Sequence, residues 1–388
     1  MRRLLILVAV LVFVDTMLYA ALTPLLPHFA HELGLSKTHS GVLVAAYAAG
    51  ALAGGLPGGM AAVRFGARRA VLVGLTLMTL SSIGFAFADS YWTLFAARFL
   101  QGLGSGFTWA GAFAWLLAAA PRETRGELIG KAMAAAVGGA LCGPVVGAAA
   151  ALAGRATIFC ALAGLSVLLA AWTSSIADVH TEAQPSTAIG RALRDGRFLG
   201  GLGAMALASL LFGILSTLGP LHLSAAGFGA AAIGAVWLTS AAFEAVESPY
   251  VGRLSDRRGP VFPVQLALAG GVVVSLALAT GARPLVYAPL VVLAGIAYGA
   301  LFTPAFALIA DGAETVGLAQ GMAFGLMNAG WALGAVVGPA AAGAIASATG
   351  DWIPFVLAAA LCGGSLAATL RAERRRAAGV RVRAASGG

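Results

Sequence analysis

The chain has 388 residues, 60% of them hydrophobic and only 10% charged, with a net charge of +9. Soluble domains carry roughly 25% charged residues, so this composition excludes one and marks a polytopic membrane protein. A basic excess placed in the loops of such a protein requires no nucleic acid.

Twelve apolar segments, each long enough to cross the hydrocarbon, follow in order. The first six are Leu4–Phe29, Ser40–Val63, Ala70–Ala88, Leu94–Ala118, Leu128–Ala153 and Ala156–Thr173. The second six are Phe198–Leu223, Ala230–Val251, Val261–Gly281, Leu285–Ala310, Gly317–Ala346 and Trp352–Leu370. Met1–Ala20 has the outline of a signal peptide, yet Asp15 interrupts its apolar core and the segment has a counterpart later, so a retained first span is expected. Cys142, Cys160 and Cys362 fall inside spans and read as small buried thiols. The 53 glycines suit close helix packing in lipid.

Topology follows from the basic residues. With both termini inside, twenty of the 24 Lys and Arg face the cytoplasm, among them Arg2, Arg64, Arg68, Arg69, Arg122, Arg125, Lys131, Arg253, Arg257 and Arg258. Lys37, Arg155 and Arg283 fall outside. The Arg-rich tail, 371–388, is expected against anionic lipid head groups.

The chain repeats itself. One offset of 193 residues aligns Pro27 with Pro220, Gly34 with Gly227, Gly41 with Gly234, Gly59 with Gly252, Arg64 with Arg257 and Gly66 with Gly259. A two-residue shift then places Gly104 on Gly299, Gly139 on Gly334 and Gly143-Pro144 on Gly338-Pro339. The fold expected is an all-α membrane protein of twelve transmembrane helices in two six-helix repeats. They would be bundles 1–173 and 198–370, joined by a cytoplasmic linker, 174–197, containing Pro185. Parallel repeats favour a central site between rocking halves.

Few polar groups lie at membrane depth. Asp15 is mid-span, with Tyr19 on its face. In the fourth span Arg98, Gln101, Gly102 and Ser105 share one face by i, i+3, i+4, i+7 spacing. An Arg there costs roughly 3 kcal/mol on insertion scales, so it needs a partner or a role; Asp15 is the obvious carboxylate, and backbone carbonyls are the plainer alternative. Glu244 and Glu247 share a face in the eighth span, and His222 sits near the outer end of the seventh. Asp15, Arg98, Glu244 and Glu247 are the candidate proton-coupling residues, because buried carboxylates readily exchange protons. Tyr19, Gln101, Trp109, Asn328 and Trp331 are candidates for a substrate cavity. In the fifth span Gly139, Gly143 and Gly147 form a ridge without side chains beside Pro144. There is no metal-ligand spacing and no phosphate-binding glycine loop, so neither an enzyme nor a cofactor is expected.

These residues carry a resemblance. Arg98-x-x-Gln101-Gly102-x-Gly104-Ser105-Gly106 is similar to a signature of the major facilitator superfamily, and Gly139-x-x-x-Gly143-Pro144-x-x-Gly147 to the antiporter signature of its drug:proton antiporters. Gly252-Arg253-Leu254-Ser255-Asp256-Arg257-Arg258-Gly259 resembles the superfamily's cytoplasmic loop motif, and Asp15 to Pro24-Leu-Leu-Pro27 its first-span exporter motif. The resemblance implies a multi-pass transporter of the plasma (cytoplasmic) membrane, acting as a monomer. It would exchange protons for a small amphipathic or cationic compound by alternating access, with the fifth span between the halves. Alternatives are a sugar or metabolite exporter or importer, or a receptor that does not transport.

The first loop departs from the motif, since Val63 stands where an Asp should precede Arg64. By pseudo-symmetry Asp256 is expected near Arg125 and Lys131 at the start of the fifth span. The loop before the eleventh span carries Asp311 and Glu314, which are expected to replace the missing acid by attracting Arg64, Arg68 and Arg69.

Overall fold

The computed structural model describes residues 2–121, 125–178, 187–281, 283–318 and 320–386. Arg122 and Pro185 lie outside them, and so do the tail side chains from 375 onward. Fifteen helices and no strands occur among the described residues. Ten of the twelve expected spans are single helices: α3 (Lys37–Phe65), α4 (Ala67–Phe87), α5 (Tyr91–Ala119), α6 (Arg125–Ala153), α7 (Arg155–Ser174), α9 (Gly196–Ala225), α10 (Ala230–Arg258), α11 (Val261–Ala279), α14 (Gln320–Thr349) and α15 (Trp352–Ser386). The first span divides into α1 (Arg2–Ala20) and α2 (Leu22–Glu32), and the tenth into α12 (Pro284–Gly299) and α13 (Phe302–Val316). Pro24 and Pro304 stand just after these breaks; each lacks the N–H that would bond the carbonyl four residues back.

Eleven stretches among the described residues are long and apolar enough to span a membrane. Helix α5, at 29 residues, has the length; Arg98, Gln101 and its glycines lower its apolarity. The linker carries a short helix, α8 (Thr187–Ala192), and Asp195 caps α9 by accepting from the Arg197 and Phe198 N–H groups. Beyond Leu370 the tail continues α15 to Ser386.

The duplication is visible in backbone and packing. Gly34 and Gly227 turn at φ +61° and +91°, Gly66 and Gly259 at +96° and +80°, values that favour glycine. Thr16 Oγ1 donates to the Ala136 carbonyl at 2.7 Å, and its counterpart Ser209 Oγ to the Trp331 carbonyl at 2.8 Å. A Cβ at Gly139 would collide with the Phe13 carbonyl and Thr16, and one at Gly334 with the Ala206 carbonyl and Ser209. Gly143 likewise sits on Met17 and Ala20, Gly147 on Ala21 and Pro24, and Gly338 on Leu210. The glycine ridge of α6 therefore packs on α1 and α2, and that of α14 on α9. The ridge of the fifth span thus faces helices of the same half, while its neighbouring Pro144 face meets the other half. A Cβ at Gly234 of α10 would come within 3.0 Å of the Pro144 carbonyl oxygen, and Gly41 of α3 lies on Pro339 of α14.

One buried core runs from Leu4 to Leu169, and two others from Ala188 to Cys362. At the end remote from the termini, Lys37 pairs with Asp351 at 2.5 Å and Thr38 Oγ1 meets Ser347 Oγ at 2.9 Å. Toward the other end Phe113 packs on Phe324 at 4.7 Å.

Candidate functional site

Asp15 is 1% exposed on α1. Its Oδ2 accepts from Trp109 Nε1 at 2.7 Å, Ser105 Oγ at 2.8 Å and the Tyr47 hydroxyl at 2.9 Å. Its Oδ1 is buried and has no hydrogen-bond partner among the described residues. Three donors on one oxygen and none on the other leave a single open position for a proton or a cationic group.

Arg98, 2% exposed, makes no ion pair with Asp15; of the two alternatives left open by the sequence, it takes backbone carbonyls. Its Nη2 donates to the Tyr19 carbonyl at 2.8 Å, and Nη1 to Gln101 Oε1 at 2.8 Å and the Leu18 carbonyl at 3.4 Å. It thus braces the last turn of α1, where the break before α2 leaves carbonyls short of donors. Its charge lies 4.9 Å from the Tyr47 ring centre and 5.3 Å from that of Tyr19, within cation–π range. Tyr47 is the intermediary, with its ring under Arg98 and its hydroxyl on Asp15. Gln101, expected to line the cavity, is 2% exposed and holds Arg98 instead.

Three of the cavity candidates do meet across the halves. Tyr19 packs against Tyr47 with tilted rings at 4.7 Å and meets Trp331 of α14 edge-on at 5.6 Å. Trp109 stacks on Phe324 of α14 at 6.3 Å. Asn328 is half-buried on α14 and makes no hydrogen bond among the described residues.

Glu244 and Glu247 lie elsewhere. The Glu244 side chain rests on Gly299, at the break between α12 and α13. Glu247 Oε1 is buried and unpartnered among the described residues, while Ser248 bonds Thr303 across the same break at 3.0 Å.

The cytoplasmic-loop residues are not brought together as expected. Asp256, Asp311 and Glu314 are exposed and form no ion pair among the described residues. Lys131 pairs with Glu127 at 2.5 Å, Arg125 donates to the Ala120 carbonyl at 3.3 Å, and Arg64 lies over Phe65. Exposed Arg257 and half-buried Gly252 complete the second loop. The carboxylate at the first loop is Asp178, whose Oδ1 accepts from the Arg68 N–H at 3.1 Å and whose Oδ2 occupies the space beside Gly66. It answers one of the first unpaired N–H groups of α4, that of Arg68, so neither Asp311 nor Glu314 stands in for the missing Asp.

Tyr47 and Asp178 were missed in the sequence. A hydroxylated aromatic in an alanine-rich span was a usable signal for Tyr47; Asp178, 110 residues from Arg68, offered none.

A bundle of spanning helices around a sealed polar site, with its two halves packed along Pro144 and Pro339, defines a membrane transporter rather than an enzyme. The family model of the Major Facilitator Superfamily matches residues 8–322, and the chain belongs to that superfamily. Among curated relatives, the probable vesicular acetylcholine transporter-B of Danio rerio is 36% identical over 155 residues, 38% of this chain. The match spans about a third (31%) of that relative's length. The multi-drug resistance efflux pump PmrA homolog of Lactococcus lactis is 26% identical over 358 residues, 84% of this chain and 85% of the relative. Among solved structures, a bacterial homolog to the human lysosomal transporter Spinster superposes with a TM-score of 0.75 at 14% identity, over 95% of this chain and 96% of that one. The nucleoside transporter NupG gives 0.73 at 15% identity, over 95% and 98%. At such identities the likeness is one of fold.

Proposed function

We propose that this transporter exports a small amphipathic or cationic compound in exchange for protons, using Asp15 as the group that holds either one. The observation that carries the reading is the half-occupied carboxylate: Oδ2 is fixed by Tyr47, Ser105 and Trp109, while Oδ1 is buried and bare. A buried carboxylate without a counter-ion is costly, and either a proton or a cation relieves that cost, so the two compete for one place. The walls suit an organic cation, since Tyr19, Trp109, Phe324 and Trp331 present ring faces and edges nearby. The names of two relatives support this class, one being a transporter of acetylcholine, an organic cation, and the other a multidrug efflux pump.

In this reading bundles 1–173 and 198–370 rock about Asp15, Glu244 and Glu247 form a second proton station, and both termini lie in the cytoplasm. The protein works as a monomer in the cytoplasmic membrane, with its basic tail on anionic lipid. The test is accumulation of ethidium in proteoliposomes driven by a pH gradient. Wild type is expected to accumulate it and Asp15→Asn to lose the response to the gradient; gradient-driven accumulation by Asp15→Asn overturns the assignment.

A further inference from the structure

A small, partly polar cavity lies at the far end of the bundle, away from the Asp15 site. It has a volume of about 260 Å³ and is lined by His222 of α9, Thr280, Tyr287 of α12, Asp351, Trp352 and Phe355. The His222 and Tyr287 rings stack at 4.1 Å. Tyr287 is 1% exposed, yet its hydroxyl has no hydrogen-bond partner among the described residues. Tyr287 lines the cavity, so its O–H is free to donate to whatever occupies it. Asp351 Oδ1 takes the Lys37 ammonium, and its other oxygen accepts nothing among the described residues. Trp352, 53% exposed, forms a loose wall at the mouth.

A carboxylate oxygen, an idle phenol, an imidazole and aromatic faces in one small cavity suit an ammonium carrying an apolar group. The cavity is also tied to the contact between the halves. Asp351 is the acid that Lys37 grips, and Thr38 and Ser347 touch beside it.

We propose that this cavity binds a small organic ammonium, which competes with Lys37 for Asp351 and so loosens the far-end contact between α3 and α14. The site is distinct from Asp15 and does not depend on what the transporter carries.

The test uses the full chain in detergent, with the native cysteines replaced by alanine and Thr38→Cys and Ser347→Cys introduced. Benzylammonium is expected to slow disulfide formation between the pair saturably, by at least threefold. Tyr287→Phe and Trp352→Ala, each made in that background, should shift the half-saturating concentration upward at least fivefold, while Asp15→Asn should leave it unchanged. Short-chain phosphatidylethanolamine in place of benzylammonium tells a lipid head group from a free amine; slowing by either supports the site. No slowing by either, or a slowing abolished by Asp15→Asn and kept in Tyr287→Phe, overturns it.

Discussion

The two halves carry the same packing and different chemistry. Thr16 and Ser209 make the same hydrogen bond, and Gly139 and Gly334 admit the same close approach. Yet the position matching Asp15 is Ala208, the one matching Tyr47 is Ser240, and neither α12 nor α13 carries an Arg. The mid-span carboxylates of the second half sit instead at Glu244 and Glu247, whose counterparts at the same offset are Ala51 and Gly54. Backbone contact geometry tolerates no side chain and is retained in both copies, whereas polar groups are retained only where partners hold them. Asp15 Oδ2 is held by three donors and Arg98 by three acceptors; Glu244 has a glycine behind it and no hydrogen bond among the described residues.

Matched substitutions test the equivalence of packing. Gly143→Leu and Gly338→Leu press a side chain on backbone that cannot yield, and each should cost about 3 kcal/mol or more, read as loss of folded protein after detergent extraction. Damage in only one of the pair would break the equivalence.

Arg98→Lys comes next. A single ammonium cannot reach Gln101 and two carbonyls in one fork, so the variant should lose about 2 kcal/mol in thermal unfolding, even though the charge is kept. Unchanged stability would mean that Arg98 does not brace the break in the first span. Thr16→Ala and Ser209→Ala should each cost about 1 kcal/mol and agree with one another; a large difference would show that the copies have diverged in energetics as well as in chemistry.

Glu244→Gln sharpens the other side of the comparison. With no partner to lose, it should leave stability within about 0.5 kcal/mol while slowing transport of cations more than that of neutral compounds. Equal slowing of both classes would assign Glu244 to the shape of the break alone.

Much of this architecture was legible in the sequence because it rests on local chemistry. Long apolar runs gave the spans, and the recurring glycines gave the duplication, since a tight turn or a bare ridge needs glycine wherever it occurs. Prolines 24 and 304, which follow the breaks in the first and tenth spans, were visible as well. The site was half legible. Asp15 and Arg98 stood out as charges in apolar runs, but their relation did not, because the Tyr47 ring that separates them comes from another helix. The Lys37–Asp351 pair joins residues 314 apart, and no local pattern announces such a contact. The direction of the glycine ridges was not legible for a similar reason: spacing tells that a helix can be approached closely, and only the assembled bundle tells by which neighbour.

That direction has a consequence for biosynthesis. Because the bare ridge of α6 seats on α1 and α2, these close contacts are available as soon as the sixth helix leaves the ribosome, without waiting for the rest of the chain. The ridge of α14 can only be used near the end of translation, when α9 has long been in the bilayer. The early helices can therefore lock while the later ones are still being inserted, and a chain stalled in its second half would expose the Pro144 face rather than a glycine groove to the lipid and to quality-control proteases.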